Sequence, residues 1–445
     1  MDSDATIMIR RYFVPCTLGI EKALVRELHA LNLDEVEEAR GGATFLGDRR
    51  AGYRACIQLR SAIRVQEELA RARVGSEHDL YRFIQSGDWS RYLSPRHTLA
   101  VHASLRDAPL SHSGYAAQKV KDAIVDWFRD RTGTRPNVDR DQPQVPLRLV
   151  MQHDLAILYR DLASESLHKR GYREAQVKSP LNEATAAGIL LLAGYDGQSP
   201  ILDPMCGSGT FLIEAAHMAL HRAPGLGRHF PFETWPDFDA SEYERVIAEA
   251  RALAKHDLPF TFEGADRHRG AIGLAAKCGK AAGVASLIRF THSEIREFRP
   301  ERPPTLVFTN PPYGMRLDED GDPESAWNDL GQFLKAECSG AKAYVLCGES
   351  GLSKHLRLKA SQRFPVHNGP IECRLLKYEI LPKRVQAKED PVQELPTEPT
   401  TLSSSEGSLP TPENADPSSL VHPGNPEAAP LNCEEKNHGQ ADDQG

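Results

Sequence analysis

From Pro180 onward, apolar residues alternate between two kinds of spacing. Short runs such as Thr305-Leu306-Val307-Phe308-Thr309 are typical of buried strands, and longer stretches with one apolar face, such as 269–282, are typical of helices. This alternation predicts a mostly parallel sheet covered by helices on both faces. The helices are predicted at 181–193, 239–255, 269–282 and 326–334, and the strands at 201–202, 260–266, 288–291, 305–309 and 343–347.

The end of this region has a different pattern. Phe364-Pro365-Val366 and the run 374–378 predict two strands, and Asn368-Gly369 between them is typical of a hairpin turn. We therefore expect an antiparallel pair to close the parallel sheet.

The first 162 residues predict two smaller units. The first has strands at 11–15 and 43–47 and helices at 20–31 and 51–61, which suggests a small sheet with helices on one side. The second, from about residue 64, has strands at 98–104, 145–151 and 155–159 and a helix at 115–128. Neither unit pairs a nucleophile with a base, so both are interpreted as binding modules.

From about Gln386 the chain is rich in Pro, Ser, Thr and Glu and poor in apolar residues. Such a segment buries too little surface to offset the entropy of ordering it, and we predict that it is disordered. It also explains the formal net charge of -8, because it holds twelve acidic residues against two lysines. The remainder carries a net charge of +2, which leaves nucleic-acid binding open.

The eight cysteines are scattered and form no Cys-x-x-Cys pair. This argues against a zinc site and a disulfide framework, and favours a reducing, cytosolic setting. The first residues lack the basic and apolar parts of a signal peptide. No apolar run approaches the roughly 20 residues of a membrane span. We expect neither a metal nor a membrane partner.

A glycine turn follows the first strand of the alternating region. It spans Asp203-Pro204-Met205-Cys206-Gly207-Ser208-Gly209 and leads through Thr210 into a strong helix former. Glycines let the backbone approach a ligand closely, and the helix N-terminus offers unpaired N–H groups. Ligands of open parallel sheets bind at the carboxyl ends of the strands, where Asp266, Glu294 and Asn310 are also predicted. Asp266 could accept both hydroxyls of a ribose or simply cap a helix, and Glu294 could bind an adenine amine or be a surface acid.

Asn310-Pro311-Pro312-Tyr313 is the most specific motif. The asparagine carbonyl and a nearby backbone carbonyl can both accept hydrogen bonds from an exocyclic amine, and the aromatic ring can stack on a base. Such an amine is a poor nucleophile that mainly needs orientation toward an electrophilic methyl. By itself the motif could also be a Pro-Pro turn.

No base lies close to Cys206 in sequence, so Cys206 is interpreted as a packed residue rather than a nucleophile, and His217 and His268 as structural or surface residues.

A basic segment precedes the alternating region. Lys169, Arg170, Tyr172 and Arg173 fall within five residues. They predict either a phosphate-binding patch with a stacking ring or a solvated interdomain loop.

Taken together, these residues resemble the class I S-adenosylmethionine-dependent methyltransferases of the amino-methylating Asn-Pro-Pro-Tyr type. More closely, the chain is similar over about residues 8–383 to the bacterial 23S ribosomal RNA guanine-N2 methyltransferase family. The segments that carry this similarity are 111–126, 135–141, 167–173, 203–216 and 222–226.

The resemblance implies a ferredoxin-like domain (1–63), a THUMP RNA-binding domain (64–163) and a Rossmann-like class I methyltransferase domain with an antiparallel last strand (164–385), followed by the tail (386–445). It implies that S-adenosylmethionine is the cofactor, with its methionine part at the Asp203–Gly209 turn, its ribose at Asp266 and its adenine at Glu294. The family more often has Asp at the last position. The cofactor-binding set is Asp203, Pro204, Cys206, Gly207, Gly209, Thr210, Asp266, Glu294 and Asn310.

In the same way, the resemblance implies that Asn310, Pro311, Pro312 and Tyr313 hold a guanine flipped out of 23S rRNA. The candidate RNA contacts are Lys169, Arg170, Tyr172 and Arg173, on the phosphate-patch interpretation of the basic segment. Some family members carry a second, fused methyltransferase after the first. This chain has the predicted disordered tail there instead, so a single methylation activity is expected. The alternatives are guanine-N2 methylation of tRNA, adenine methylation of DNA, and a noncatalytic RNA-binding protein of ribosome assembly. The THUMP-like front half disfavours DNA, and the presence of both motifs argues against a noncatalytic role.

Overall fold

The computed structural model describes residues 8–173, 181–313 and 322–382. The tail predicted to be disordered lies outside these residues. No helix in the described ranges is both long and apolar enough to cross a membrane.

The two front units share one eight-stranded sheet instead of forming separate sheets. Its strands are β1 (Arg10–Pro15), β2 (Asp34–Ala39), β3 (Gly42–Gly47), β4 (Gln66–Arg73), β5 (Thr98–Arg106), β6 (Asn137–Val138), β7 (Val145–Gln152) and β8 (Leu155–Asp161). The spatial order is β2-β3-β1-β4-β8-β7-β5-β6. Strand β4 joins the units, because it pairs antiparallel with both β1 and β8.

Strands β2 and β4 were not predicted, because both are rich in charged residues. Their sequences are Asp-Glu-Val-Glu-Glu-Ala and Gln-Glu-Glu-Leu-Ala-Arg-Ala-Arg, in which the apolar alternation of a half-buried strand is weak. Four helices accompany this sheet: α1 (Glu21–Ala30), α2 (Arg49–Gln58), α3 (Glu77–Gln85) and α4 (Ser113–Thr132). Helix α2 begins where the side chain of Asp48 accepts a hydrogen bond from Ala51 N–H, and α4 ends at Gly133 in the left-handed conformation.

The second sheet has the predicted α/β architecture. Its strands are β9 (Leu202–Asp203), β10 (Phe262–Asp266), β11 (Ile288–His292), β12 (Leu306–Thr309), β13 (Lys342–Cys347), β14 (Gln362–Asn368) and β15 (Ile371–Glu379). The order is β11-β10-β9-β12-β13-β15-β14. The first five strands are parallel, and β15 inserts antiparallel between β13 and β14. The predicted antiparallel closure is confirmed.

In the described parts of this second region there are five α-helices: α5 (Glu183–Leu192), α6 (Thr210–Ala219), α7 (Ala240–Ala252), α8 (Arg269–Ala281) and α9 (Pro323–Glu337). Helices α5 and α6 are apolar and almost wholly buried, as expected next to a central parallel sheet. Within the core, Phe308 of β12 stacks on Tyr344 of β13 with ring centroids 4.8 Å apart. The carboxyl ends of β9, β10 and β12 lie side by side, because β9 pairs in parallel with both β10 and β12.

An ion-pair cluster and an aromatic cluster connect the two sheets. Arg160 of β8 is 1% exposed and donates to Glu67 at 2.6 Å and to Asp237 at 2.9 Å, while Arg10 lies 3.3 Å from Asp237. The guanidinium of Arg160 also lies over the Trp235 ring, 3.9 Å from the ring centroid. Phe232 packs against Tyr53 of α2 with ring centroids 4.7 Å apart, so the aromatic segment 230–238 holds the two regions in contact.

Candidate active site

The glycine turn connects β9 to α6. Gly207 and Gly209 have φ values of 53° and 76°, which other residues adopt only with strain. A Cβ on Gly209 would lie 2.9 Å from the Phe290 ring, whereas a Cβ on Gly207 would meet no protein atom within 4 Å. Gly209 is therefore needed for packing, and Gly207 leaves open space beside the turn.

Asp266 ties the turn to the neighbouring strand. Its Oδ2 accepts a 2.9 Å hydrogen bond from Gly207 N–H, and its Oδ1 accepts one of 2.9 Å from His268 N–H. The second bond goes to His268, the residue before α8, and not to an N–H group of the first turn of that helix. The first bond crosses to β9, which holds the turn and the acid in fixed relation.

A cavity of about 240 Å³ opens beside the turn. It is lined by these predicted site residues: Asp203, Pro204, Cys206, Gly207, Thr210, Asp266, Glu294, Asn310 and Pro312. The structure thus brings together side chains that are more than a hundred positions apart in the chain. Of the predicted cofactor-binding and catalytic residues, three do not line the cavity, namely Gly209, Pro311 and Tyr313, and neither do the predicted RNA contacts of the basic segment. The wall residues that the sequence analysis missed include Leu181, Arg267, Ala271 and Asp329, which no motif marked.

Burial controls the electrostatics of the turn. Asp203 is 2% exposed, and burial raises its pKa to about 7, although its Oδ1 accepts a 3.1 Å hydrogen bond from Met205 N–H. Burial also raises the pKa of the Cys206 thiol well above its usual range. A thiolate at Cys206 is therefore disfavoured, in agreement with its interpretation as a packed residue.

The turn after β12 presents Asn310 to the cavity. Its Oδ1 is buried and has no hydrogen-bond partner within the described residues, which omit 314–321. Buried acceptors normally have partners, so an unpaired one at a cavity wall marks a place for a donor. Two residues further along the turn, the carbonyl of Pro312 accepts a 2.9 Å hydrogen bond from Nε1 of Trp327, a buried residue of α9.

The structure does not present Tyr313 as a stacking surface. The residue is 7% exposed, and its hydroxyl accepts a 2.9 Å hydrogen bond from Nδ2 of Asn368. The ring packs against Gly348, where a Cβ would lie 2.3 Å from ring carbons. The sequence analysis missed this role because Asn368 lies 55 residues away, in a hairpin where Asn-Gly suggested only a turn.

The basic segment is a further correction. Lys169 is exposed and pairs with Glu165, but the Arg170 side chain is 4% exposed and lies 3.7 Å from Glu214. The Tyr172 hydroxyl donates to Glu214 at 2.9 Å. Glu214 of α6 is fully buried and requires such partners, so Arg170 and Tyr172 do not form an open phosphate patch.

Arg173 also faces inward. It donates to Thr210 Oγ1 at 2.7 Å and lies 3.6 Å from Glu183. Of the two histidines considered, His217 is buried with Nε2 3.0 Å from the Ala282 carbonyl, and His268 lines the cavity. No group of three or more potential metal ligands occurs within 8–173, 181–313 and 322–382.

Comparisons with known proteins agree with this geometry. Residues 11–66 match the RlmL ferredoxin-like domain, 74–161 match the THUMP domain, and 170–377 match the RMKL-like methyltransferase domain. Ribosomal RNA large subunit methyltransferase K/L of Syntrophotalea carbinolica (strain DSM 2380 / NBRC 103641 / GraBd1) is 38% identical over 84% of this chain, which spans 54% of that protein's length.

Two further proteins match over nearly their whole lengths. slr0064 of Synechocystis sp. (strain ATCC 27184 / PCC 6803 / Kazusa), named as a candidate RNA methyltransferase, is 35% identical over 83% of this chain and 97% of its own. The crystal structure of SMU.472, a candidate methyltransferase complexed with SAH, is 26% identical with a TM-score of 0.77, covering 85% of this chain and 99% of that one.

Proposed function

The chain belongs to the S-adenosylmethionine-dependent RMKL-like methyltransferases that carry an RlmL ferredoxin-like and a THUMP domain, and on that premise we propose that it methylates the exocyclic N2 amine of a guanine in 23S ribosomal RNA. The observation that carries this proposal is the unpaired Oδ1 of Asn310 at the wall of the cavity that Asp266 and the glycine turn also line. The matched ranges also support the proposed divisions of the chain near residues 63 and 163.

The residues present fit the cofactor. Gly207 leaves space for the methionine part, Asp203 supplies a buried acid beside it, and the Asp266 carboxylate lies at the strand end where a ribose would bind. Glu294 also lines the cavity, and we propose that the adenine lies beside it. When bound, the cofactor supplies an electrophilic methyl group.

The chain's own contribution is orientation. We propose that Asn310 Oδ1 accepts a hydrogen bond from the target amine and directs the amine nitrogen toward the methyl. Pro311 and Pro312 have no backbone N–H that could compete for Asn310 Oδ1. A paired guanine cannot reach this position, so the base must leave the helix.

The choice of RNA rests on the relatives. The name of the Syntrophotalea protein specifies large-subunit ribosomal RNA, and the THUMP range supports an RNA substrate. RNA methylation by this chain would take place in the cytosol. The buried free thiols of the described cysteines suit that reducing compartment.

A labelling assay tests the proposal. Purified protein is incubated with S-adenosylmethionine carrying a radiolabelled methyl and with unmodified large-subunit RNA or tRNA, and the nucleosides are then separated. We expect label in N2-methylguanine from the ribosomal RNA. Label in N6-methyladenine would refute the base assignment, label only in tRNA would favour the tRNA alternative, and no label would favour a noncatalytic role. Asn310→Ala should abolish transfer while SAH binding stays nearly intact.

A further inference from the structure

The Asn310–Tyr313 turn has two sides with different surroundings. Asn310 faces the cavity, whereas Tyr313 points into the protein, where its hydroxyl accepts hydrogen bonds from Asn368 Nδ2 at 2.9 Å and Cys373 Sγ at 3.7 Å. Both partners belong to the β14–β15 hairpin, which begins about 50 residues after the turn. The turn is therefore attached to the antiparallel edge of the sheet.

Space as well as hydrogen bonding fixes Tyr313. The ring lies over Gly348, just after β13, and a Cβ there would come within 2.3 Å of Cδ2 and Cε2. Separately, Trp327 of α9 holds the Pro312 carbonyl at 2.9 Å. The two residues that follow the Asn310-Pro311 pair are thus each held by a buried partner.

Asn368 is not merely a turn residue. Asn-Gly pairs favour tight hairpins through the backbone, and in that role the side chain is free to face solvent. Here Asn368 is 7% exposed, and its amide reaches Tyr313. A buried amide requires a partner, and the Tyr313 hydroxyl supplies one.

We propose that Asn368 is a positioning residue for methyl transfer, acting through the Tyr313 hydroxyl to hold Asn310 toward the cavity. This inference rests on the proposed function of the turn. Misplacement of a reacting group by about 1 Å can cost about a hundredfold in rate, so an anchor at the end of the turn affects kcat although it does not contact the substrate.

The test is a double-mutant cycle. Asn368→Leu removes the donor at similar volume, Tyr313→Phe removes the acceptor, and the double variant removes both. Glu372→Gln, on an exposed position of the same hairpin, is the matched control. We expect each single variant to lower kcat at least about tenfold, with SAH affinity within twofold of the wild type. The double variant should be no worse than Asn368→Leu, because the two side chains act through one shared hydrogen bond, which either single substitution already removes.

Additive losses in the cycle, or an unchanged kcat in Asn368→Leu, would overturn the inference. Hydrogen exchange at the backbone amides of residues 306–313 provides a readout without activity. Faster exchange in Asn368→Leu and Tyr313→Phe, but not in Glu372→Gln, is expected, and unchanged exchange would refute the anchor even if the wild type methylated no RNA. Absence of methylation by the wild type together with faster exchange in the variants would refute the proposed function alone. If Asn368→Leu fails to fold, kcat and the hydrogen exchange of residues 306–313 in Tyr313→Phe decide whether the anchor exists.

Discussion

The backbone N–H of Gly207 donates a 2.9 Å hydrogen bond to Oδ2 of Asp266, joining the turn after β9 to the end of β10. Asp266→Ala removes the acceptor of the Gly207 and His268 N–H groups and deletes the proposed ribose contact. We expect SAH affinity, measured by calorimetry, to fall at least about tenfold, or about 1.4 kcal/mol. Glu263→Ala, on the same strand but outside the cavity wall, should bind SAH normally, and equal losses in both variants would contradict the assignment.

The two glycines of the turn differ in what a side chain would meet. Gly209→Ala places a Cβ 2.9 Å from Phe290, so it should lower the melting temperature markedly. Gly207→Ala has free space around its Cβ, so the fold should tolerate it better, with a cost of about 1–2 kcal/mol for its positive φ. Gly207→Ala should weaken SAH binding, because its Cβ would occupy the space proposed for the methionine part of the cofactor. Equal melting temperatures would show that Phe290 adapts easily.

Burial of Asp203 predicts a pH dependence of stability. Its pKa is about 7 in the folded protein against an ordinary value of 3.8. Between these values the folded state keeps a proton that the unfolded chain has lost, so rising pH disfavours folding. The melting temperature of Asp203→Asn relative to the wild type should therefore increase from pH 4 to pH 7.

An exposed acid provides the control. Hydrogen bonds from Ser76 and Arg82 lower the pKa of Asp79, so Asp79→Asn should lose stability relative to the wild type as the pH rises. The same trend in both variants would contradict the raised pKa of Asp203.

The ion cluster between the sheets predicts a large effect from a residue far from the cavity. Arg160→Ala leaves Glu67 and Asp237 paired with Arg10 at 3.2 and 3.3 Å, and the loss of the buried guanidinium should cost about 3–5 kcal/mol in urea unfolding. The control is Arg73→Ala, because Arg73 is 79% exposed in its pair with Asp154, and it should leave the unfolding midpoint unchanged. A small loss for Arg160→Ala would mean that water replaces the guanidinium.

The basic segment provides a test of the correction made by the structure. Arg170→Ala should lower the melting temperature, because Glu214 then lacks its cationic partner. Lys169→Ala should leave the melting temperature unchanged and weaken RNA binding only slightly, with a shallower salt dependence. Loss of RNA affinity in folded Arg170→Ala at unchanged stability would restore the phosphate-patch interpretation.

The sequence by itself determined the α/β class, the succession of strands and helices along the chain, and the antiparallel closure. It also located the glycine turn, Asp266 and Asn310 at strand ends. Local spacing carries this information, because apolar periodicity differs between helices and strands and glycine tolerates conformations that other residues avoid.

Only the tertiary structure decided which side chains face the cavity and which are buried partners. It turned Arg170 and Tyr172 inward toward Glu214, joined the front units through the charged strand β4, and paired Tyr313 with Asn368. Each of these outcomes depends on a contact between residues distant in the chain. A buried charge or hydroxyl takes whichever partner the fold brings near, and no local pattern encodes that choice.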